Sequence, residues 1–338
     1  AIAPREDQLA IRVEAVEPDA LHQPGHRALA HLSSDGILIK GVDPAGEHDF
    51  VNVVSQTLNI LKPRHELMRI YPIFHFVPGE PMHPAARRRD GAMHRLNTTP
   101  GGPAVQDLLG DALSAQEPKR PYRIGIASHA FQDSWAHQNF VGWYHPFNHL
   151  GLDPKPNIGH ADAEHHPDWM SHLWHDDRLV EPRISNRARY LEAARALFAR
   201  YREALTPDVS ARELELAWLP LERELLRLMG PTWSGRELRY REQRMRRYRD
   251  KLPWLPPFDQ RSWFDQAVAT TVRGLEDSHE GWPRRLTLFE DRYTWRDDVD
   301  PEQTHWLKFQ QAVRDHERAG IARLQPIFAQ MGIDLARA

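Results

Sequence analysis

His129, Asp133 and His137 recur every fourth residue in a stretch whose other members include Ile124, Ile126, Phe131, Trp135 and Phe140. At 3.6 residues per turn this spacing predicts a helix over 121–140 carrying one stripe of imidazole, carboxylate and imidazole. The apolar flanks place that helix in a core. Uncompensated burial of polar groups is costly, so the stripe needs a partner, and a divalent cation suits two imidazoles and a carboxylate. Residues eight apart stand about 12 Å apart along a helix, so His129 and His137 are poorly placed to share one ion. Asp133 therefore reads as the pivot. It bridges two ions or serves one with His129, while His137 reaches a second ion or a supporting partner.

One helix cannot complete such a site, and the following segment is the nearest donor. Nine of the twenty histidines fall between His129 and His175, and the stretch 159–168 holds His160, Asp162, Glu164, His165, His166 and Asp168. His160 follows Gly159, which permits close backbone approach, and ranks first there, with Asp168 and His165 behind. His75, in the aromatic–proline run 71–79, reads by itself as a core histidine and is carried as a candidate ligand. Asp43, near His48 and Asp49, is the N-terminal candidate. His145 and His149 read equally as pocket lining or loop packing; Trp143, Trp169 and Trp174 as packing anchors; His279, His305 and His316 as structural.

Composition narrows the chemistry. The 338 residues contain no cysteine, which excludes disulfides, thiolate metal sites and cysteine nucleophiles. A net charge of -3 supplies no basic face for nucleic acid. There is no apolar stretch of about eighteen residues to span a membrane. The opening Ala1-Ile2-Ala3-Pro4 lacks the basic and apolar regions of a signal peptide, and the compartment stays open between cytoplasm and export. No Walker loop, Gly-x-Ser-x-Gly elbow or His-Glu-x-x-His helix occurs.

Along the chain the patterning predicts an all-α fold, read as one large helical domain over 1–338. Its parts are an irregular segment 1–50 with a short helix near 27–32 and one strand near 37–39, a metal-site half 50–183, and a helical half 184–338. Expected helices cover 50–69 (broken at Pro63), 103–113, 121–140, 186–204, 210–229, 235–251, 262–276 and 303–331. Residues 71–79 are expected to be extended or turn-like, because two prolines and a glycine oppose a regular helix. Residues 141–183 read as a long ordered loop laid over the site.

The runs Tyr71–Gly79, Tyr122–Phe140 and Ile158-Gly159-His160 resemble a bacterial family of mostly helical proteins with a domain of unknown function, over roughly residues 40–180 and the closing helix 306–324. More distantly, the His-x-x-x-Asp helix is similar to that of zinc-dependent phospholipase C and the fungal single-strand nucleases. That likeness implies a helix aspartate bridging metal ions and a later His-x-x-x-Glu pair, here His160 and Glu164. The chain departs from those enzymes: their next histidine comes about two residues after the position of His137, and they use an N-terminal tryptophan where this chain has Ala1.

The reading that follows is a metal-dependent hydrolase of phosphate esters, phospholipase C-like or phosphodiesterase-like. Its metal ligands would be His129, Asp133, His137, His160, Glu164, His75 and Asp43, with Asp168 and Asp162 to orient or deprotonate the attacking water. Two or more zinc ions suit this set, with iron or manganese as alternatives. The low positive charge favours a small or lipid-like phosphoester over nucleic acid. A di-iron type oxygenase and a non-catalytic helical effector with structural metal are the competing classes.

Overall fold

The structure is a computed structural model that describes residues 68–151, 158–235, 239–256, 259, 262–273 and 290–337, with the short strands 38–39 and 50–51. The fold is mainly helical. Its helices are α1 (Pro103–Leu113), α2 (Arg120–Ala136), α3 (Asn186–Leu205), α4 (Ala211–Met229), α5 (Arg241–Lys251), α6 (Ser262–Ala267) and α7 (His305–Ala329). Helices α1 and α2 carry proline in the first turn, where a missing N–H costs nothing. The Ser210 hydroxyl accepts from Glu213 N, and the Glu213 carboxylate accepts from Ser210 N, closing the capping box that opens α4.

Strands are few. β1 (Leu38–Ile39), β2 (Phe50–Val51), β5 (Val268–Arg273) and β6 (Glu290–Trp295) form one sheet in the order β2-β1-β6-β5, while β3 (Leu173–His175) and β4 (Arg183–Ser185) form a small antiparallel pair. Two expected helices are thereby corrected. Phe50 and Val51 are strand. The helix expected over 262–276 stops at Ala267, where Val268, Thr270, Thr271 and Val272 carry the chain into β5. Branching at Cβ favours that change, and β6 supplies six register pairs for it. The expected helix near 27–32, the cluster at Asp43, His48 and Asp49, and His279 lie outside the described residues.

Two further features shape the site. Of the extended and turn-like alternatives, residues 71–75 take the second, a single π-helical turn closed by Phe76 N donating to Tyr71 O at 2.7 Å. Pro72 sits in its first turn, where its ring is tolerated. Helix α2 ends at Ala136, with His137 at its C-cap and Asn139 at φ 75. Of the loop expected over 141–183, the described residues 141–151 and 158–183 contain three 3-10 turns (Pro146–Asn148, Ala161–Ala163, His166–Asp168) and β3, which pairs with β4.

The main core lies where α1, α2, α3, α7 and the π turn meet, around Ile73, Leu109, Ile124, Phe131, Val313 and Phe328. Each such buried side chain contributes roughly 1.5–3 kcal/mol, which holds the polar stripe of α2 in place. A second cluster of Tyr71, Phe76, Phe140, Ile158, Trp174 and Ile184 packs beneath the histidine-rich segment.

Candidate metal centre

The π turn delivers His75 to the middle of the α2 stripe. His75 Nδ1 lies 3.2 Å from Asp133 Oδ2, His129 Nε2 lies 3.2 Å from the same oxygen, and the two ring nitrogens are 3.1 Å apart. These three donors form a nearly equilateral triangle. An ion about 2.1 Å from each would subtend angles of roughly 95–100°, between octahedral and tetrahedral. Without a cation, the two ring nitrogens share a hydrogen bond whose donor is set by the tautomers. The Asp133 side chain is 12 % exposed and that of His129 43 %, so the triangle opens to solvent past His129.

A second group forms at the end of the helix. His137 Nε2 lies 3.0 Å from Asp168 Oδ1, and His160 Nε2 lies 3.4 Å from Asp168 Oδ2. Both imidazoles are fixed from behind. His137 Nδ1 donates to the His75 carbonyl at 2.9 Å, and His160 Nδ1 donates to the Glu164 carbonyl at 2.7 Å. Tying Nδ1–H to a carbonyl leaves Nε2 as the lone-pair donor, the arrangement usual for metal-ligating histidine. Phe76 stacks on the His137 ring at 4.5 Å and lies 5.6 Å from that of His160. Gly159, at φ 53, allows the approach: a Cβ there would stand 2.5 Å from Phe76 Cζ.

The start of α3 holds the third member. Asn186 donates to the carbonyls of His166, Pro167 and Trp169, and Tyr190 OH donates to that of Pro167. These bonds fix the turn that presents Asp168.

Electrostatics separates the groups. Burial alone would lower His137, but Asp133 and Asp168 on either side outweigh it and raise its pKa to about 9. Burial would likewise raise Asp168, yet His160 and His137 hold it far below the usual carboxylate range. The protein packed around His129 pushes its pKa down, only partly offset by Asp133. Asp133 stays below its ordinary value because the neighbouring histidines outweigh its burial.

Six of the candidate residues thus converge as two His-His-Asp groups able to hold a metal: His75, His129, Asp133, and His137, His160, Asp168. The groups share no residue. The His137 ring lies between them, its Nδ1 3.6 Å from Asp133 Oδ2. Asp168, expected beside the water, stands among the donors. Glu164 is exposed and enters through its carbonyl. Asp162 accepts from Leu150 N and faces His149 at 3.4 Å, which places it in the wall of the loop. His94 and His145 lie ring to ring at 4.3 Å, but each Nδ1 accepts a backbone N–H, so Nε2 carries the proton and this pair is not a ligand set. Phe76 and the Glu164 carbonyl were not singled out in the sequence, and only the closeness of Phe76 to His75 hinted at the former.

A family profile matches residues 31–324, its description being a family of unknown function, DUF6765. The chain belongs to DUF6765. Nothing in that match links the family to phospholipase C or to nucleases. No curated protein and no solved structure matches the chain. For this DUF6765 member the site geometry therefore has to carry the functional argument. No helix among the described residues is long and apolar enough to cross a membrane.

Proposed function

We propose that this DUF6765 protein is a metal-dependent hydrolase of phosphate esters that uses two divalent ions, zinc being the best match to its nitrogen and oxygen donors. The observation that carries the reading is the His75–His129–Asp133 triangle, with edges of 3.1–3.2 Å. Three protein donors leave a position for water or substrate, and the partly exposed His129, which has no counterpart in the more enclosed second group, leaves that position reachable. A cation there would supply a bound water of near-neutral pKa and charge for a developing oxyanion. The protein's own part is to orient three donors, to keep Asp133 ionised and to hold His129 neutral.

The His137–His160–Asp168 group is more enclosed, and we assign it a second ion that steadies the loop over the first. Asp168 acts as its ligand rather than as the base. A small or lipid-like ester fits a chain with no excess positive charge.

The test is metal analysis of protein purified without chelator, followed by hydrolysis of bis(p-nitrophenyl) phosphate and of phosphatidylcholine vesicles. Two zinc ions, with hydrolysis lost on chelation and restored by zinc, support the proposal. Iron with visible absorbance and oxygen consumption moves the assignment to an oxygenase, since two histidines and a carboxylate also suit Fe(II). Bound metal without turnover leaves a structural role, and absence of metal sinks all three.

A further inference from the structure

His75 serves both groups, its ring in the first and its carbonyl in the second. Whatever sets the π turn therefore sets both. Helix α7 meets that turn at three points some 240 residues away in sequence. His316 Nε2 donates to the Ile73 carbonyl at 3.3 Å, and its ring packs on Phe74 at 5.2 Å. Glu317 accepts from Arg69 Nε at 2.6 Å, just before the turn. Gly320 lies against Ile73 so closely that a Cβ would stand 2.8 Å from Ile73 Cγ2.

The geometry points to His316, assisted by Glu317 and Gly320, as a positioning residue that clamps the π turn and so aligns His75 for both metal groups. A π turn leaves its carbonyls differently spaced from an α-helix, and such turns are rare but frequent at functional sites; a buried donor aimed at Ile73 O answers that spacing. His316 is 3 % exposed and neutral at physiological pH, because burial pushes its pKa down to about 4. It gives a hydrogen bond without adding charge behind His129. A packing role alone would be met by leucine. The hydrogen bond would not.

The clamp stands on the contacts themselves, whereas its consequence for metal rests on the function proposed above. The experiment combines zinc titration with hydrogen exchange at Phe76 N, the amide that closes the turn, in full-length wild type, His316→Leu and His316→Gln. Expected for His316→Leu are retained helical circular dichroism, faster exchange at Phe76, and zinc binding weakened by roughly 10–100-fold at both sites, the range for losing a group that orients a ligand. His316→Gln, whose amide can donate to Ile73 O, should recover most of both. Wild-type exchange and affinity in His316→Leu would overturn the clamp. Should His316→Leu fail to fold, Gly320→Ala, which pushes on Ile73, is read in the same way. If the wild type binds no zinc, the metal reading fails, and Phe76 exchange alone decides the clamp.

Discussion

The two His-His-Asp groups have the same composition and opposite surroundings. The first draws two donors from consecutive turns of α2 and one from the π turn, and it opens to solvent at His129, 43 % exposed. The second sits at a helix end and in a loop, with side-chain exposures of 8–17 %, Phe76 stacked on His137, and each imidazole tied back to a carbonyl. The same set of donor types is thus placed in two different settings. What differs is access and the support behind the donors.

The largest expected effect breaks the first group alone. Asp133→Asn removes the charge that the two imidazoles share; turnover should fall roughly a thousandfold, about 4 kcal/mol of barrier, while one ion is kept by the second group. Equal loss of both ions would show that the groups are one site. Asp168→Asn is the converse. It leaves two enclosed imidazoles without their carboxylate, and urea unfolding of the metal-free protein should show about 2–3 kcal/mol less stability, with the first ion retained.

Proton linkage should separate the groups further. His137 has a folded pKa of about 9, above its unfolded value. The stability it gives the metal-free protein is complete below the unfolded value and is lost as pH rises through about 9. Metal at the second group must displace that proton, so its affinity should rise about tenfold per pH unit up to about 9. Between pH 7 and 9 the thermal midpoint of chelated protein should therefore fall while that of loaded protein stays nearly level; equal falls in both would remove His137 from the ligands. The smallest effect is expected from Gly159→Ala, which imposes a positive φ on alanine and drives a methyl into Phe76. About 1–3 kcal/mol of stability should be lost, and zinc affinity should weaken at the second group more than at the first.

Much of this was legible along the chain. The four-residue recurrence of His129, Asp133 and His137 marked three of the six residues that gather in the two His-His-Asp groups, because helix periodicity is a local property that a core helix must obey. Axial rise alone separated His129 from His137, and the two do fall in different groups. The boundaries of α1, α3, α4 and α7 followed from caps and periodicity to within a few residues. The helix expected over 262–276 failed at Val268, because the pairing of β5 with β6 is a long-range choice that a local apolar pattern does not encode.

By itself, then, the sequence determined a mainly helical chain without thiol chemistry and a polar stripe on a buried helix. Tertiary structure alone decided how the donors are shared out. It wound residues 71–75 into a π turn, which places His75 beside Asp133 and its carbonyl beside His137, and it folded Asp168 back onto His137 and His160. Those pairings join residues 8 to 62 positions apart, and three of the four span more than 30. Their cause is packing against α3 and α7: the same burial that lets a backbone turn depart from α-helical spacing also fixes where its side chains point.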